Sequence, residues 1–397
     1  MDMEQVYTSN FKVGAYPFYE HLRKTNPIFA MNEQNAQASW MVTKYDHVKE
    51  LLKSPSFIKD QSKLFSNQNE ENDSGEPNLF GNMMLDVDPP DHTRLRKLVQ
   101  PSFNPKTIKH LAPRIEQIAE ELLDDIQDKS EPVDLIEDYA FPLPIIVISE
   151  LLGVPTEDRN KFRKWSNTIL AAQDEMNQDF IQDVEAFTQY LTELFEKGSA
   201  HPEEDLVSQL IESQEDGDKL SRNELYSMVV LLIIAGHETT VNLIGNTMHA
   251  LFEHPAQLEQ VKEDHQLISG AIEEGLRYYS PVDFSTARWA GEDMEFHGQS
   301  IRKGDFVMAS ISSANRDEEK FEQADSFNIT RERNAHVAFG FGIHFCLGAP
   351  LARLEGKIAL EKLLERFPNI NLDASRPSPQ WRRVFLLRGL DSLPVQL

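Results

Sequence analysis

Phe339-Gly340-Phe341-Gly342-Ile343-His344-Phe345-Cys346-Leu347-Gly348 is the stretch from which the rest of the chain is read, and it holds the only cysteine of the 397 residues. Three glycines, Gly340, Gly342 and Gly348, frame the sulfur, so the backbone there can turn tightly and come close to a flat ligand. Beyond it Leu351, Leu354, Ile358, Ala359, Leu360, Leu363 and Leu364 recur at helical spacing. That places Cys346 at or just before a helix N-terminus, where unpaired amides and the helix dipole favour a thiolate. A lone cysteine is most often a small buried hydrophobe. A packing role, however, calls for neither the glycines nor a histidine two residues away.

The stretch resembles the haem-binding loop of the cytochrome P-450 family, Phe-Gly-x-Gly-x-His-x-Cys-x-Gly, at every specified position. The resemblance implies a haem b with the Cys346 thiolate as axial ligand. It also implies that Phe339 packs beside the sulfur and that His344 reaches a haem propionate.

Composition sets the frame. Hydrophobic residues make up 40% and charged residues 26%, which is ordinary for a globular chain, and the length suits two or three average domains or one large core. A single cysteine excludes an intrachain disulfide and any Cys-rich zinc or iron-sulfur site, so a cytoplasmic home is expected. The start, Met1-Asp2-Met3-Glu4, is acidic and no apolar segment of a signal peptide follows. The longest uninterrupted apolar run, Met228 to Ala235, is too short to cross a bilayer, so no membrane association is expected. A net charge of -26 disfavours nucleic acid and anionic membranes. Between His92 and Ile115, however, there is no acid, while Arg94, Arg96, Lys97, Lys106, Lys109 and Arg114 are basic. Such an island faces an anionic partner or is a plain solvated face.

Along the chain, a helix is expected around Pro17 to Lys24 and a strand at Trp40-Met41-Val42 ending near Asp46. The polar stretch from Gln61 to Pro77 reads as a mobile loop able to admit ligands. A helix starting at Asp88-Pro-Pro-Asp91 is expected to run through the basic island, with His92 and Arg96 four apart on one face. Apolar periodicity continues through Ile115 to Leu123 and Ile145 to Leu152, where Gly153 and Pro155 stop it. Two amphipathic segments follow between Glu157 and Lys197, then an acidic span, Glu203 to Asp218, that reads as a solvated connection. Ser221-Arg-Asn-Glu224 is a capping box opening a helix of about 34 residues, roughly 50 Å long. Gly236-His-Glu-Thr-Thr240 interrupts it. The threonines can bond back to the preceding turn, or the interruption can open a pocket for a small ligand. Glu274 and Arg277 are three apart on a helix ended by Pro281, and strands are expected over Phe284 to Ala290 and Phe306 to Ile311.

By resemblance, Ala235-Gly236-His237-Glu238-Thr239 is similar to the family's oxygen-activation motif, with Thr239 the alcohol and Glu238 the acid of catalysis, and with Ala235 and Gly236 against the haem. This pair favours reductive activation of dioxygen over peroxide. His92, Arg96 and Arg288 match propionate contacts, and Glu274, Arg277 and Arg331 a structural ion-pair set. Gly275 departs from that pattern at a cost of about 1 kcal/mol in local helix stability. Met83, Met84, Leu85, Ile234, Phe284 and Leu390 match pocket positions, an apolar set suited to a lipophilic substrate. The implied fold is mainly α with a minor β part, a single large cytochrome P-450 domain over residues 1–397 built on a long central helix. With no fused reductase, a monomer is expected to take electrons from a separate ferredoxin or flavodoxin and its reductase, docking on the basic island with Arg353 and Lys357. A peroxide-driven haem-thiolate hydroxylase and a non-catalytic haem sensor stay open as alternatives, and the substrate is undecided among fatty acid, terpenoid, macrolide and aromatic compounds.

Overall fold

A computed structural model of the chain describes residues 9–32, 37–64, 78–81, 83–129, 132–158, 160–162, 164–165, 168, 178–203, 205–212 and 219–397. The expected loop at 61–77 lies mostly outside these, as do Ile169 and Leu170 of the first amphipathic segment. The helices that position the site are α1 (Ser9–Thr25), α2 (Asp91–Val99), α3 (Ala112–Gln127), α4 (Pro142–Leu151), α5 (Arg222–Glu253), α6 (Ile268–Tyr278) and α7 (Ala349–Arg366). Five strands, β1 (Ile28–Asn32), β2 (Ser39–Val42), β3 (Phe57–Ile58), β4 (Arg288–Ala290) and β5 (Phe306–Ala309), form one sheet in the order β1-β2-β5-β4-β3. A second sheet joins Val133–Asp134, Pro394–Gln396 and Asn371–Leu372, and Met294–Phe296 pairs with Gln299–Ile301. The fold is mainly α with a minor β part, as the sequence implies.

Helix α5 is the axis. Ser221 Oγ accepts from the Glu224 N–H at 3.2 Å while Glu224 Oε2 accepts from the Ser221 N–H at 2.8 Å, so both halves of the capping box are present. Its 32 residues are apolar nearly all round because α4, α6 and α7 pack about it on several sides. By length and composition α5 could cross a membrane, which corrects the expectation drawn from uninterrupted runs alone. Most of it is buried inside the protein, as befits a core helix.

Three further expectations change. The basic island is not one helix: α2 stops at Val99, a 3-10 turn spans Gln100–Phe103, a short helix covers Pro105–His110, and α3 follows. Pro101, Pro105 and Pro113 each open a new element, because proline fits a first turn and not an interior. The strand at Trp40 ends at Val42, and Asp46 falls in the first turn of a helix, Tyr45–Lys53. The acidic connection contains a helix, Leu206–Glu212, which buries Leu206, Val207 and Leu210. Gly275 is a packing requirement: a Cβ there would fall 2.1 Å from Thr247 Oγ1, so glycine lets α6 lie close on α5.

Candidate active site

The cysteine loop is pinned from both ends. The Cys346 N–H donates to the Phe339 carbonyl at 2.9 Å, and Gly340 and Gly342 take φ values of 72° and 79°. A Cβ on Gly342 would come within 2.8 Å of the Leu52 carbonyl oxygen, so the loop is pressed against the end of the Tyr45–Lys53 helix. Gly348 caps α7, and the N–H groups of Gly348 and Ala349 point at the Cys346 sulfur. Burial pushes the Cys346 thiol up, and these amides with Arg96 and Arg353 offset that only in part. The helix-terminus amides act in the direction expected of a thiolate site, and burial opposes them. A bound cation would supply the missing charge.

Beside the loop lies a group of basic side chains, of which Lys59, His92 and Arg288 are buried. One face of α2 carries His92 and Arg96, and the His92 ring lies 4.1 Å from that of His344. β4 contributes Arg288. In the antiparallel β3–β4 pair Ile58 faces Trp289, and Lys59 follows directly on Ile58, close to Arg288. Lys59 and Arg288 are each 3% exposed. Among the described residues, no carboxylate lies within ion-pair distance of Lys59, His92, Arg96, Arg288 or His344, and His344 Nε2 is buried without a hydrogen-bond partner. Burial and then the fields of Lys59, His92, Arg288 and Arg96 push His344 down to about 2. Burial lowers Arg288 to about 10, against the pull of Asp88. Burial, followed by Arg288, lowers Lys59 to about 7 against the pull of Asp86 and Asp88. Buried like charges without counter-charge are costly, so the arrangement suits an anionic ligand. The two carboxylates of a haem, placed beside a cysteine sulfur, fit this donor set. Lys59 escaped the sequence reading because strand pairing alone brings it to Arg288.

Along α5, the accessible residues are informative. Ala235 is exposed and Ile234, Gly236 and Thr239 are half-buried within a helix otherwise closed off, so this stripe looks onto a hollow. Thr239 Oγ1 donates to the Ala235 carbonyl at 2.7 Å and Thr240 Oγ1 to that of Gly236 at 3.0 Å, the back-bonding the sequence allowed. Glu238 points elsewhere. It is buried and ion-paired with Arg382. Glu238, Asn242 and Asn246 form a polar stripe against residues 381–390: Asn246 Nδ2 donates to the Arg388 carbonyl at 2.9 Å, and a Cβ on Gly389 would overlap Asn242 Oδ1 at 1.9 Å. His237 sits edge-on to Phe141, with ring centroids 4.5 Å apart.

Of the expected pocket residues, Met83 and Met84 are buried and Leu85 and Ile234 are half-buried. Phe284 and Leu390 are buried as well: Phe284 stacks on Phe385 at 4.8 Å and meets Tyr19 of α1 edge-on, while the Leu390 backbone bridges to Trp381. Phe339 has its ring 4.5 Å from the Arg353 guanidinium and its carbonyl on the Cys346 amide.

Behind the loop, Glu274 accepts from Arg277 at 2.7 Å and from Arg331 at 3.1 Å, with Glu274 and Arg277 fully buried. Arg277 also donates to the carbonyls of Asn315, Ala324 and Ser326, so every partner is satisfied. Next to it Glu273 accepts from Arg353 at 2.6 Å and lies 3.0 Å from His336. Burial raises the Glu273 carboxyl, yet these two bonds outweigh it and hold the group at about 2.

A helix-centred fold with a glycine-framed cysteine ahead of α7 and an acid-alcohol pair in mid-α5 defines the class, and the chain belongs to the cytochrome P-450 family, whose model matches residues 150–389. It is a cytochrome P-450 monooxygenase. A cytochrome P-450 of Bacillus subtilis strain 168 is 45% identical over 399 residues, covering 98% of this chain and 96% of the relative. Among solved structures, the PksS cytochrome P-450 of the Bacillus subtilis 168 bacillaene polyketide synthase superposes with a TM-score of 0.91 at 43% identity over 99% of both chains. The cytochrome P-450BioI crystallised with acyl carrier protein bearing hexadec-9Z-enoic acid gives 0.87 at 38% identity, over 98% of this chain and 99% of that one.

Proposed function

We propose that this cytoplasmic enzyme hydroxylates a lipophilic small molecule with dioxygen and two electrons from a separate ferredoxin or flavodoxin and its reductase, at a haem b held by Cys346. The observation that carries the reading is the group of basic side chains beside the lone cysteine, with no acid in ion-pair reach among the described residues. His92, Arg96, Arg288 and His344 would hold the propionates, each charge-assisted contact contributing about 1.5–3 kcal/mol. When bound, the haem supplies the iron chemistry that inserts one oxygen atom of dioxygen into a C–H bond while the other leaves as water.

The protein's share is protons and water exclusion. Thr239 keeps its hydroxyl proton on the Ala235 carbonyl and presents its lone pairs to the hollow, where they can accept from and orient a water. Glu238 holds a carboxylate one residue away, with Arg382 on its outer side, so a proton can reach the helix from the surface without the substrate pocket opening to water. The apolar neighbours Met83, Met84, Leu85 and Ile234 keep that pocket dry.

A polyketide or fatty-acyl substrate agrees best with the apolar set and with the relatives' chemistry. The electron donor docks on a smaller face than the basic island suggests. Arg94 pairs with Glu224, Arg114 with Glu150 and Glu121, and Arg353 with Glu273. Exposed Lys106, Lys109 and Lys357, with Ile343 and Phe345 beside the cysteine, make up that face.

The spectrum of the reduced, carbon monoxide-bound protein tests the assignment: a red-shifted thiolate Soret band is expected, and its absence, or its survival in Cys346→Ser, overturns the ligand. Titration with fatty acids and macrolactones, read as a spin-state shift, then sorts the substrate.

A further inference from the structure

We infer that Lys59 is a fifth cationic contact of the haem propionates, delivered from β3 and seated by Thr286. The inference rests on the haem reading above and adds a residue that no motif marks.

Three observations carry it. Lys59 is buried at 3% exposure, and it follows directly on Ile58, the partner of Trp289 in the β3–β4 pair, close to Arg288, a second buried cation. Like charges buried close together repel, so an anion between them is the stable arrangement. The second observation is the partner of Nζ. It donates to Thr286 Oγ1, a neutral group that orients the ammonium without cancelling its charge. The third is the position of the nearby acids. Asp88 accepts from the N–H groups of Lys59 and Asp60 at 3.0–3.1 Å and lies 3.5 Å from Lys63, while neither Asp86 nor Asp88 comes within ion-pair distance of Lys59 Nζ. Asp88 therefore fixes the backbone of residue 59 and leaves its ammonium for another anion. His344 and Arg288 feel the same ammonium, so Lys59 shares one field with the four contacts already assigned.

A lysine that merely packs would behave oppositely to one that binds. In the haem-free protein the ammonium is an uncompensated buried charge, and removing it should help; in the loaded protein it is a ligand contact, and removing it should hurt.

The test compares Lys59→Met, Lys59→Gln and Lys59→Arg with Arg288→Met. Haem loss from the purified holoprotein to excess apomyoglobin is followed at the Soret band, and urea unfolding of the haem-free chain is measured in parallel. Lys59→Met and Lys59→Gln are expected to speed haem loss about tenfold, Lys59→Arg to stay within about twofold of the unaltered protein, and the haem-free chain to be no less stable in any of them. Accelerated loss with Arg288→Met but none with Lys59→Met or Lys59→Gln overturns the role of Lys59 alone. Unchanged loss with Arg288→Met as well overturns the reading that this cation group holds the propionates. Equal destabilisation of haem-free and loaded protein by the lysine variants assigns Lys59 to packing and rejects the inference.

Discussion

Two groups of basic side chains lie on either side of the cysteine loop, and they are built on opposite principles. Behind the loop, Arg277 and Arg331 share Glu274, His336 and Arg353 share Glu273, and the remaining donors end on carbonyls. On the side of α2 and β4, Lys59, His92, Arg96, Arg288 and His344 crowd together without a single carboxylate in ion-pair reach among the described residues. A balanced set is complete in the folded chain and can serve only the fold. An unbalanced set is an unfinished electrostatic arrangement, and it suits an anionic ligand.

The contrast can be broken hardest at Arg277. Replacing it with leucine leaves buried Glu274 with Arg331 as its one remaining cationic partner and strips the carbonyls of Asn315, Ala324 and Ser326 of a donor, and should cost about 3–5 kcal/mol in urea unfolding, equally with and without haem. A loss confined to the loaded protein would mean that the balanced group serves the cofactor after all.

Acid attacks the same region next. Because Glu273 is held at about 2 against an ordinary value of 4.5, its contribution is fully present above pH 4.5 and is lost as pH falls toward 2. That amounts to about 3 kcal/mol at most, since solvent reaches part of the carboxylate. Thermal unfolding of Glu273→Gln between pH 5 and 2.5 should show a correspondingly flatter profile.

At the unbalanced group the sign reverses with loading. Arg288→Met should leave the haem-free chain as stable or more so, while the loaded protein loses about 1.5–3 kcal/mol of haem affinity, read by competition with apomyoglobin. Equal destabilisation of both forms would erase the distinction between the two groups.

The smallest effect on stability is expected at Arg382, whose pairing with Glu238 reaches the surface. Arg382→Gln should change unfolding by less than about 1 kcal/mol. It should nonetheless lower product formed per reductant consumed and raise peroxide, as should Glu238→Gln, because the proton path would be disturbed where the fold is not.

How far the sequence foretold this depends on the distance over which each feature is encoded. The capping box of α5 spans four residues and the cysteine loop ten, and local patterns of that size are visible before folding. The broken basic island was also legible, since Pro101, Pro105 and Pro113 carry the breaks, but the charge pattern drew the eye from them. Lys59 and Glu238 were different. The first is defined by strands some 230 residues apart and the second by an arginine 144 positions on, so neither environment exists in the sequence until tertiary pairing creates it. The stacking of Phe284 is invisible in the sequence for the same reason: its partner, Phe385, lies a hundred residues away.

The polar stripe of Glu238, Asn242 and Asn246 has a consequence for how the protein is made. Its partners lie in residues 381–390, and Val133–Asp134 likewise waits for Pro394–Gln396. A chain leaving the ribosome can therefore form α5 and present the cysteine loop before the wall over the acid exists.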